Sequence, residues 1–299
     1  MLRYVTGDLF ESPAQTLVNT VNTVGVMGKG IALRFKNIYP DMFREYQKLC
    51  EQGELTIGNL FLWRTDHKLV LNFPTKKHWR NPSKPEYIRA GLSTFVESYE
   101  EMGIHSIAFP PLGCGNGELD FEQVVRPIMD QFLEDLPIRV LIYAPHEQTE
   151  PPEHKTPAKT KKWLRSQPRD LAFREVWHDL ENLLRRQQSY KTLVKKSPFR
   201  AALAEDGVRI EASGKQTVVG REEFLNLWTQ LREFGLLTRD SLPAERDRDA
   251  SYILPVLEEL PYTRVVMLSN SYQTFSNNPS WGLALIPPED SETKQLQLV

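Results

Sequence analysis

Val18–Phe35 reads VNTVNTVGVMGKGIALRF, and Pro110–Phe121 reads PPLGCGNGELDF. Each stretch places a glycine-bearing loop directly after a short apolar segment of strand character. A glycine run lets backbone N–H groups converge on phosphate oxygens, because no Cβ blocks the approach and positive φ is allowed. Two such loops can grip one long phosphorylated ligand from opposite sides. Gly28, Lys29 and Gly30 precede a predicted helix, whose free N–H groups and dipole favour negative charge. Gly113, Gly115 and Gly117 belong to the second loop, stiffened at its entry by Pro110 and Pro111.

Outward from these loops the first half alternates strand-like and helix-like stretches, which argues for an α/β sheet covered on both faces. Strands are predicted over Leu2–Thr6, Thr16–Val21, Asn59–Trp63, Leu69–Phe73, Ser106–Phe109 and Arg139–Tyr143. Helices are predicted over Gly30–Asn37, Pro40–Gln52, Lys84–Glu101 and Phe121–Leu136. In the third of these, Ile88, Leu92, Phe95 and Val96 form one stripe to lay on the sheet, and Gly103 suits its C-terminal stop.

After that the composition changes. The stretch EQTEPPEHKTPAKTKKWLRSQP from Glu147 is rich in Pro, Lys and Thr and reads as a linker. Leu171–Lys195 then reads as a long amphipathic helix, with Phe173, Val176, Trp177, Leu180, Leu183 and Leu184 on one side. Strand-like Val208–Glu211, Arg264–Leu268 and Trp281–Ile286 with a helix at Glu222–Phe234 complete a small α+β domain. The expected division is therefore 1–148, a linker over 149–170, and a C-terminal domain over 171–299.

Of 299 residues, 40% are hydrophobic and 25% charged, as in ordinary soluble globular proteins. Two cysteines without a CxxC spacing, Cys50 and Cys114, argue against a disulfide framework or structural zinc and fit a reducing cytosol. The N-terminus lacks a long apolar run, so a cytoplasmic location is expected. Residues 1–150 carry 15 Lys and Arg against 19 Asp and Glu, residues 151–200 carry 13 against 5, and residues 201–299 carry 9 against 15. The basic middle segment suits either nucleic-acid phosphates or a solvated linker and exposed helix face.

Gly7-Asp8-Leu9, Val18-Asn19-Thr20-Val21-Asn22, Gly28-Lys29-Gly30-Ile31-Ala32 and Leu112-Gly113-Cys114-Gly115-Asn116-Gly117 follow the order and spacing of macrodomains. The first half of the chain resembles that family. Asn72–Arg80, NFPTKKHWR, is similar to its DarG branch, antitoxins that remove ADP-ribose from thymidine in DNA. The resemblance implies a three-layer α/β/α fold with a mixed sheet, and ADP-ribose and ADP-ribosylated DNA as partners. It implies no cofactor and no metal.

Carried over residue by residue, the resemblance assigns adenine to Asp8 and Leu9, and the diphosphate to Gly28, Lys29, Gly30 and Ile31 together with Leu112, Gly113, Cys114, Gly115, Asn116 and Gly117. Cys114, with no neighbouring base, reads as a packing residue. Asn22 matches the asparagine that approaches the distal ribose and, with Lys76 as the centre of the catalytic site, is expected to position the water together with the substrate, while Asn19 reads as holding its loop. Lys76 matches a lysine that acts in a protein-directed glycohydrolase relative. It can donate to the departing base, stabilise the sugar oxygens or attack the sugar covalently. The relative's Asp in the second loop aligns with Gly117 here, so the group that activates water is unassigned, although Glu118 and Asp120 are near.

Lys77, His78, Trp79 and Arg80 form an aromatic and basic cluster of the kind that holds single-stranded DNA around an extruded base. Trp79 as a buried packing anchor is the equal alternative. Two further readings of the first half stay open: a non-catalytic ADP-ribose reader, and a hydrolase or deacylase for ADP-ribosylated protein or O-acyl-ADP-ribose. For the C-terminal domain the resemblance implies binding of a DarT-type toxin. Its acidic balance suits a basic DNA-binding partner and equally suits solubility.

Overall fold

Strand β2 (Thr16–Asn22) lies at the centre of a six-stranded sheet in the order β1-β6-β5-β2-β4-β3. Its companions are β1 (Leu2–Val5), β3 (Phe61–Arg64), β4 (Leu69–Lys76), β5 (Ser106–Phe109) and β6 (Arg139–Tyr143). All neighbours pair in parallel except β3, which runs antiparallel to β4 at the edge, so the sheet is mixed. The computed structural model describes residues 1–143, 151–238, 241–242, 249–268 and 280–286. Met1–Lys161 and Lys162–Val299 are its two units.

In the first unit the predicted elements are found with small shifts at their ends. Helices α1 (Gly30–Ile38) and α2 (Pro40–Glu51) cover one face, with Phe35, Met42, Phe43 and Tyr46 packed against Leu17, Val21, Val70 and Leu141. Helix α3 (Pro85–Ser98) and α4 (Arg126–Leu133) cover the other, where Ile88, Leu92 and Phe95 meet Val18, Leu71, Phe73 and Phe109. Each such fully buried side chain contributes about 1.5–3 kcal/mol relative to exposure. Both α2 and α3 begin with a proline at the first helical positions, where a missing N–H costs nothing.

Strand β4 is buried along its whole length, as a strand covered on both faces must be. Its Pro74 stands beyond Asn72, the last residue paired to β3, so no rung on that side is lost. The helix expected over Phe121–Leu136 begins instead with a wide π turn, Phe121–Val125. The Asp120 carboxylate caps it by accepting from the Gln123 N–H at 2.7 Å.

The stretch that reads as linker is not bare coil. Glu153–Lys155 makes a 3-10 turn and Pro157–Arg165 a helix, α5. Its Leu164 is buried, an apolar anchor that the surrounding Lys, Pro and Thr conceal in the composition. Residues 144–150, where the expected first boundary falls, lie outside the described residues.

In the second unit, α6 spans Phe173–Arg186 and stops well short of the expected Lys195. Its apolar stripe of Phe173, Val176, Leu180 and Leu184 ends there, and the following Gln187 is extended. The chain then enters β7 (Ser189–Lys191), the edge of an antiparallel sheet β10-β9-β8-β7 with β8 at Pro198–Ala204, β9 at Gly207–Ala212 and β10 at Lys215–Gly220. Helix α7 (Arg221–Phe234) follows, ended by Gly235 at φ +74°. A second antiparallel sheet orders β11 (Leu236–Thr238), β13 (Ser280–Leu285) and β12 (Thr263–Leu268), with α8 (Ala250–Glu258) before β12. The buried Arg165 side chain holds Asp179 through Nε at 2.8 Å, and Tyr262 donates to the same carboxylate at 3.2 Å. Among the described residues no helix is long and apolar enough to cross a membrane.

Helix α3 packs closely on β4. A Cβ added at Gly91 lies 2.2 Å from the Phe73 ring. Gly91→Val therefore forces α3 off the sheet, and urea denaturation is expected to show a loss of about 1–3 kcal/mol. An unchanged midpoint contradicts this packing.

Candidate active site

At the C-terminal ends of β2, β4 and β5 a cleft of about 580 Å³ opens in the first unit. That size is within the roughly 300–1,000 Å³ range of sites for small-molecule ligands and cofactors. Both glycine loops wall it: Gly28, Lys29, Gly30 and Ile31 on one side, and Gly113, Cys114, Gly115, Asn116 and Gly117 on the other. Their approach is close, because a Cβ on Gly30 would lie 3.1 Å from Asn116 Nδ2. Gly30 and Gly113 have φ of +59° and +68°, conformations that favour glycine. The second loop folds on itself through Leu119 N–H to Gly113 O at 3.0 Å and Glu118 N–H to Gly115 O at 3.0 Å. Gly30 opens α1, so the N–H groups of its first turn have no partner within the helix.

Lys76 reaches the cleft through an irregularity in the sheet. Strands β2 and β4 pair from Thr16↔Leu69 to Val21↔Pro74, and then Asn22 pairs with Lys76, so Thr75 is an extra residue on β4. Such a bulge re-aims side chains next to it. Thr75 and Lys76 both line the cleft, whereas Lys77 is exposed. Lys76 is only 6% exposed, and among the described residues its Nζ has no hydrogen-bond partner. Burial lowers its pKa from the usual lysine value, opposed by the charges of Glu153 and Glu118.

Glu153 is the residue that the sequence reading missed. It stands on the 3-10 turn, 7% exposed, and it is the one acidic side chain lining the cleft among the described residues. Burial raises its carboxyl pKa, opposed by the charges of Lys76 and Lys29. The turn is tied down on both sides. Lys29 Nζ donates to the Pro151 carbonyl at 2.6 Å, and Glu118 pairs with His154 Nε2 at 2.7 Å and with Lys155. The two ties hold Glu118 below the usual carboxylate range, Lys155 contributing more than His154. Only a dipeptide pattern in a Pro-rich segment marks this turn in the sequence, which gives no signal of a site.

Several expected residues also make contacts within the fold. The Asn22 carboxamide lines the cleft but organises its own loop: Oδ1 accepts from Val24 N–H at 3.0 Å and Val26 N–H at 3.3 Å, and Nδ2 donates to Val26 O at 2.6 Å. One amide hydrogen is left to meet a ligand. Asn19 is buried and donates across the sheet to Asn72 Oδ1 at 2.9 Å. Asp8 caps a 3-10 turn through the Phe10 N–H at 3.0 Å and pairs with Arg34 at 2.6 Å, while Leu9 and Leu112 are buried in the two cores. None of Asp8, Leu9, Asn19 and Leu112 lines the cleft. Cys114 does line it, with its thiol pKa pushed up to about 12 by burial, which keeps it an inert neutral group.

Trp79 is fully buried, so its ring offers no platform to a base, and the packing alternative applies. Arg80 covers that ring with its guanidinium 4.3 Å from the centroid, and its N–H donates to His78 Nδ1 at 3.1 Å. Lys77 is exposed, and its carbonyl accepts from Thr23 Oγ1 at 2.8 Å, which joins this segment to the first loop.

Residues 18–128 match the family model described as Macro domain. A DNA ADP-ribosyl glycohydrolase of Mycobacterium tuberculosis is 50% identical over 149 residues, covering 48% of this chain and 42% of that protein. A DNA ADP-ribosyl transferase-DNA ADP-ribosyl glycohydrolase fusion protein of Thermosipho africanus is 41% identical over 169 residues, covering 50% of this chain and 43% of that protein. The solved macrodomain of Thermus aquaticus DarG is 47% identical and aligns to 48% of this chain and 99% of its own, with a TM-score of 0.46. This chain thus spans less than half the length of the two full-length relatives.

The hydrogen bonds of Asn22 predict the cost of removing them. Asn22→Ala leaves the buried N–H groups of Val24 and Val26 unpaired, and chemical denaturation is expected to register a loss of about 1–3 kcal/mol. A variant as stable as the parent shows that the loop does not depend on this side chain.

Proposed function

Since residues 18–128 of this chain belong to the macro domain family, we propose that its first unit removes ADP-ribose from thymidine bases in single-stranded DNA. In this reading the chain is the antitoxin to a DNA ADP-ribosyltransferase. The observation that carries the proposal is the buried, unpartnered Lys76 Nζ facing a cleft between two glycine loops. The glycohydrolase named among the relatives, identical at half of the aligned positions, supports the same reaction.

The diphosphate takes the backbone N–H groups of Gly30–Ile31 and Gly113–Gly117, where partial positive charge meets its oxygens without charged side chains. The distal ribose then lies toward Asn22 and Lys76. Breaking its N-glycosidic bond develops oxocarbenium character at C1″ and negative charge on thymine N3. An ammonium acidified by burial is a better proton donor to that nitrogen than an ordinary surface lysine. Asp8 and Leu9 are proposed for adenine, next to the Phe10 ring and Arg34. Lys77, His78 and Arg80 are proposed to meet the flanking phosphates.

For the second unit we propose transferase binding. The fusion protein of Thermosipho africanus, which joins both activities in one chain, supports a partnership of this kind.

Two measurements test these assignments. Lys76→Ala is expected to lose release of ADP-ribose from a modified thymidine oligonucleotide by about 10²-fold or more while calorimetry still shows ADP-ribose binding. Turnover equal to the parent's removes Lys76 from the chemistry, and binding without turnover in the parent itself makes the protein a reader. The full chain is further expected to capture a DNA ADP-ribosyltransferase of the DarT type in a pull-down, and no capture contradicts the partnership.

A further inference from the structure

A hydrolase of this kind needs a group to take a proton from water, and the second glycine loop supplies none. At Gly117 an added Cβ would lie 2.2 Å from the Gly113 carbonyl oxygen and 2.2 Å from Ser83 Oγ, so this backbone has no room for a carboxylate there. Asp120 is engaged as the cap of the π turn. Glu118 is engaged by His154 and Lys155. Asp8 is engaged by Arg34 and the Phe10 N–H. Glu153 alone among these carboxylates lines the cleft, where its charge and that of Lys76 act on each other.

We propose that Glu153 is the catalytic residue that accepts the proton of the attacking water, in the same cleft as Lys76. The assignment rests on the hydrolase reading above and adds to it the group that sequence comparison leaves open. As the water oxygen bonds to C1″, the C1″–N3 bond breaks and its electron pair passes into the thymine ring. Lys76 gives N3 a proton, and the Glu153 carboxylate holds the proton from water. Transfer of that proton from Glu153 to the Lys76 amine restores both groups, and the products are ADP-ribose and unmodified thymidine. The ties from Lys29 to Pro151 and from Glu118 to His154 and Lys155 fix the turn that carries Glu153, so its position over the cleft is set before substrate arrives.

This arrangement fixes the direction of the pH dependence. The charged and titratable groups around Glu153 are Lys76 on β4, Lys29 before α1, Glu118 in the second loop, and His154 and Lys155 beside it. As base and acid, Glu153 must be deprotonated and Lys76 protonated, and burial raises the pKa of the first and lowers that of the second. The rate rises through the Glu153 limb and falls through the Lys76 limb, a bell narrower than two unperturbed groups would give.

The test uses the full chain and an oligonucleotide carrying ADP-ribosylated thymidine. Glu153→Gln keeps the shape of the side chain and removes the base. It is expected to lower kcat about 10²–10⁴-fold with KM and calorimetric ADP-ribose affinity nearly unchanged, and to abolish the acid limb of the profile. An active parent with an equally active Glu153→Gln overturns this proposal alone. A loss of turnover matched by an equal loss of ADP-ribose affinity also overturns it, since Glu153 then serves binding. A parent that frees no ADP-ribose overturns the hydrolase reading and this assignment with it.

Discussion

Strands β2 and β4 keep parallel register for most of their length, and then one residue too many on β4 sets Lys76 opposite Asn22. Everything in the cleft depends on that extra residue. Without it, alternation would send the side chain at this position to the other face of the sheet. With it, an ammonium that would ordinarily seek water is buried beside the two glycine loops, without a hydrogen bond. Such a burial is unfavourable, and the charges of Glu153 and Glu118 offset it only in part, so the lysine pKa stays below its usual value.

The site is thus assembled from parts with different demands. The glycine loops need backbone freedom and close approach, which their sequence provides locally. The lysine needs a bulge, which depends on the pairing of two strands far apart in the chain. The carboxylate needs a turn after β6 to pass back over the cleft, and Lys29 and Glu118 hold it there from the two loops. The same two loops therefore wall the cleft and hold the turn that carries Glu153.

Local patterns made the first half legible. Alternating strands, capped helices and the two glycine loops are all written in short windows, and their spacing pointed to the fold. What failed was information carried by tertiary contacts. Glu153 lies in a segment whose Pro, Lys and Thr content reads as linker. Trp79, flanked by His and Arg, reads equally as a stacking platform or a packing anchor, and only the tertiary structure shows it fully buried. Asn22 has the right type for a ribose contact, and its further task of tying the loop behind it is not visible in a short window. The helix from Phe173 was drawn too long because charged residues after Leu184 continue a helical composition without continuing its apolar stripe.

The central claim is that one nucleotide-sugar lies between the two loops with its distal C1″ carbon between Lys76 and Glu153. A crystal structure of the full chain soaked with ADP-ribose measures it directly. The account predicts the diphosphate on the N–H groups of Gly30–Ile31 and Gly113–Gly117, with the C1″ hydroxyl within hydrogen-bond reach of Lys76 Nζ. A ligand bound with C1″ pointing away from both side chains, or outside this cleft, contradicts it.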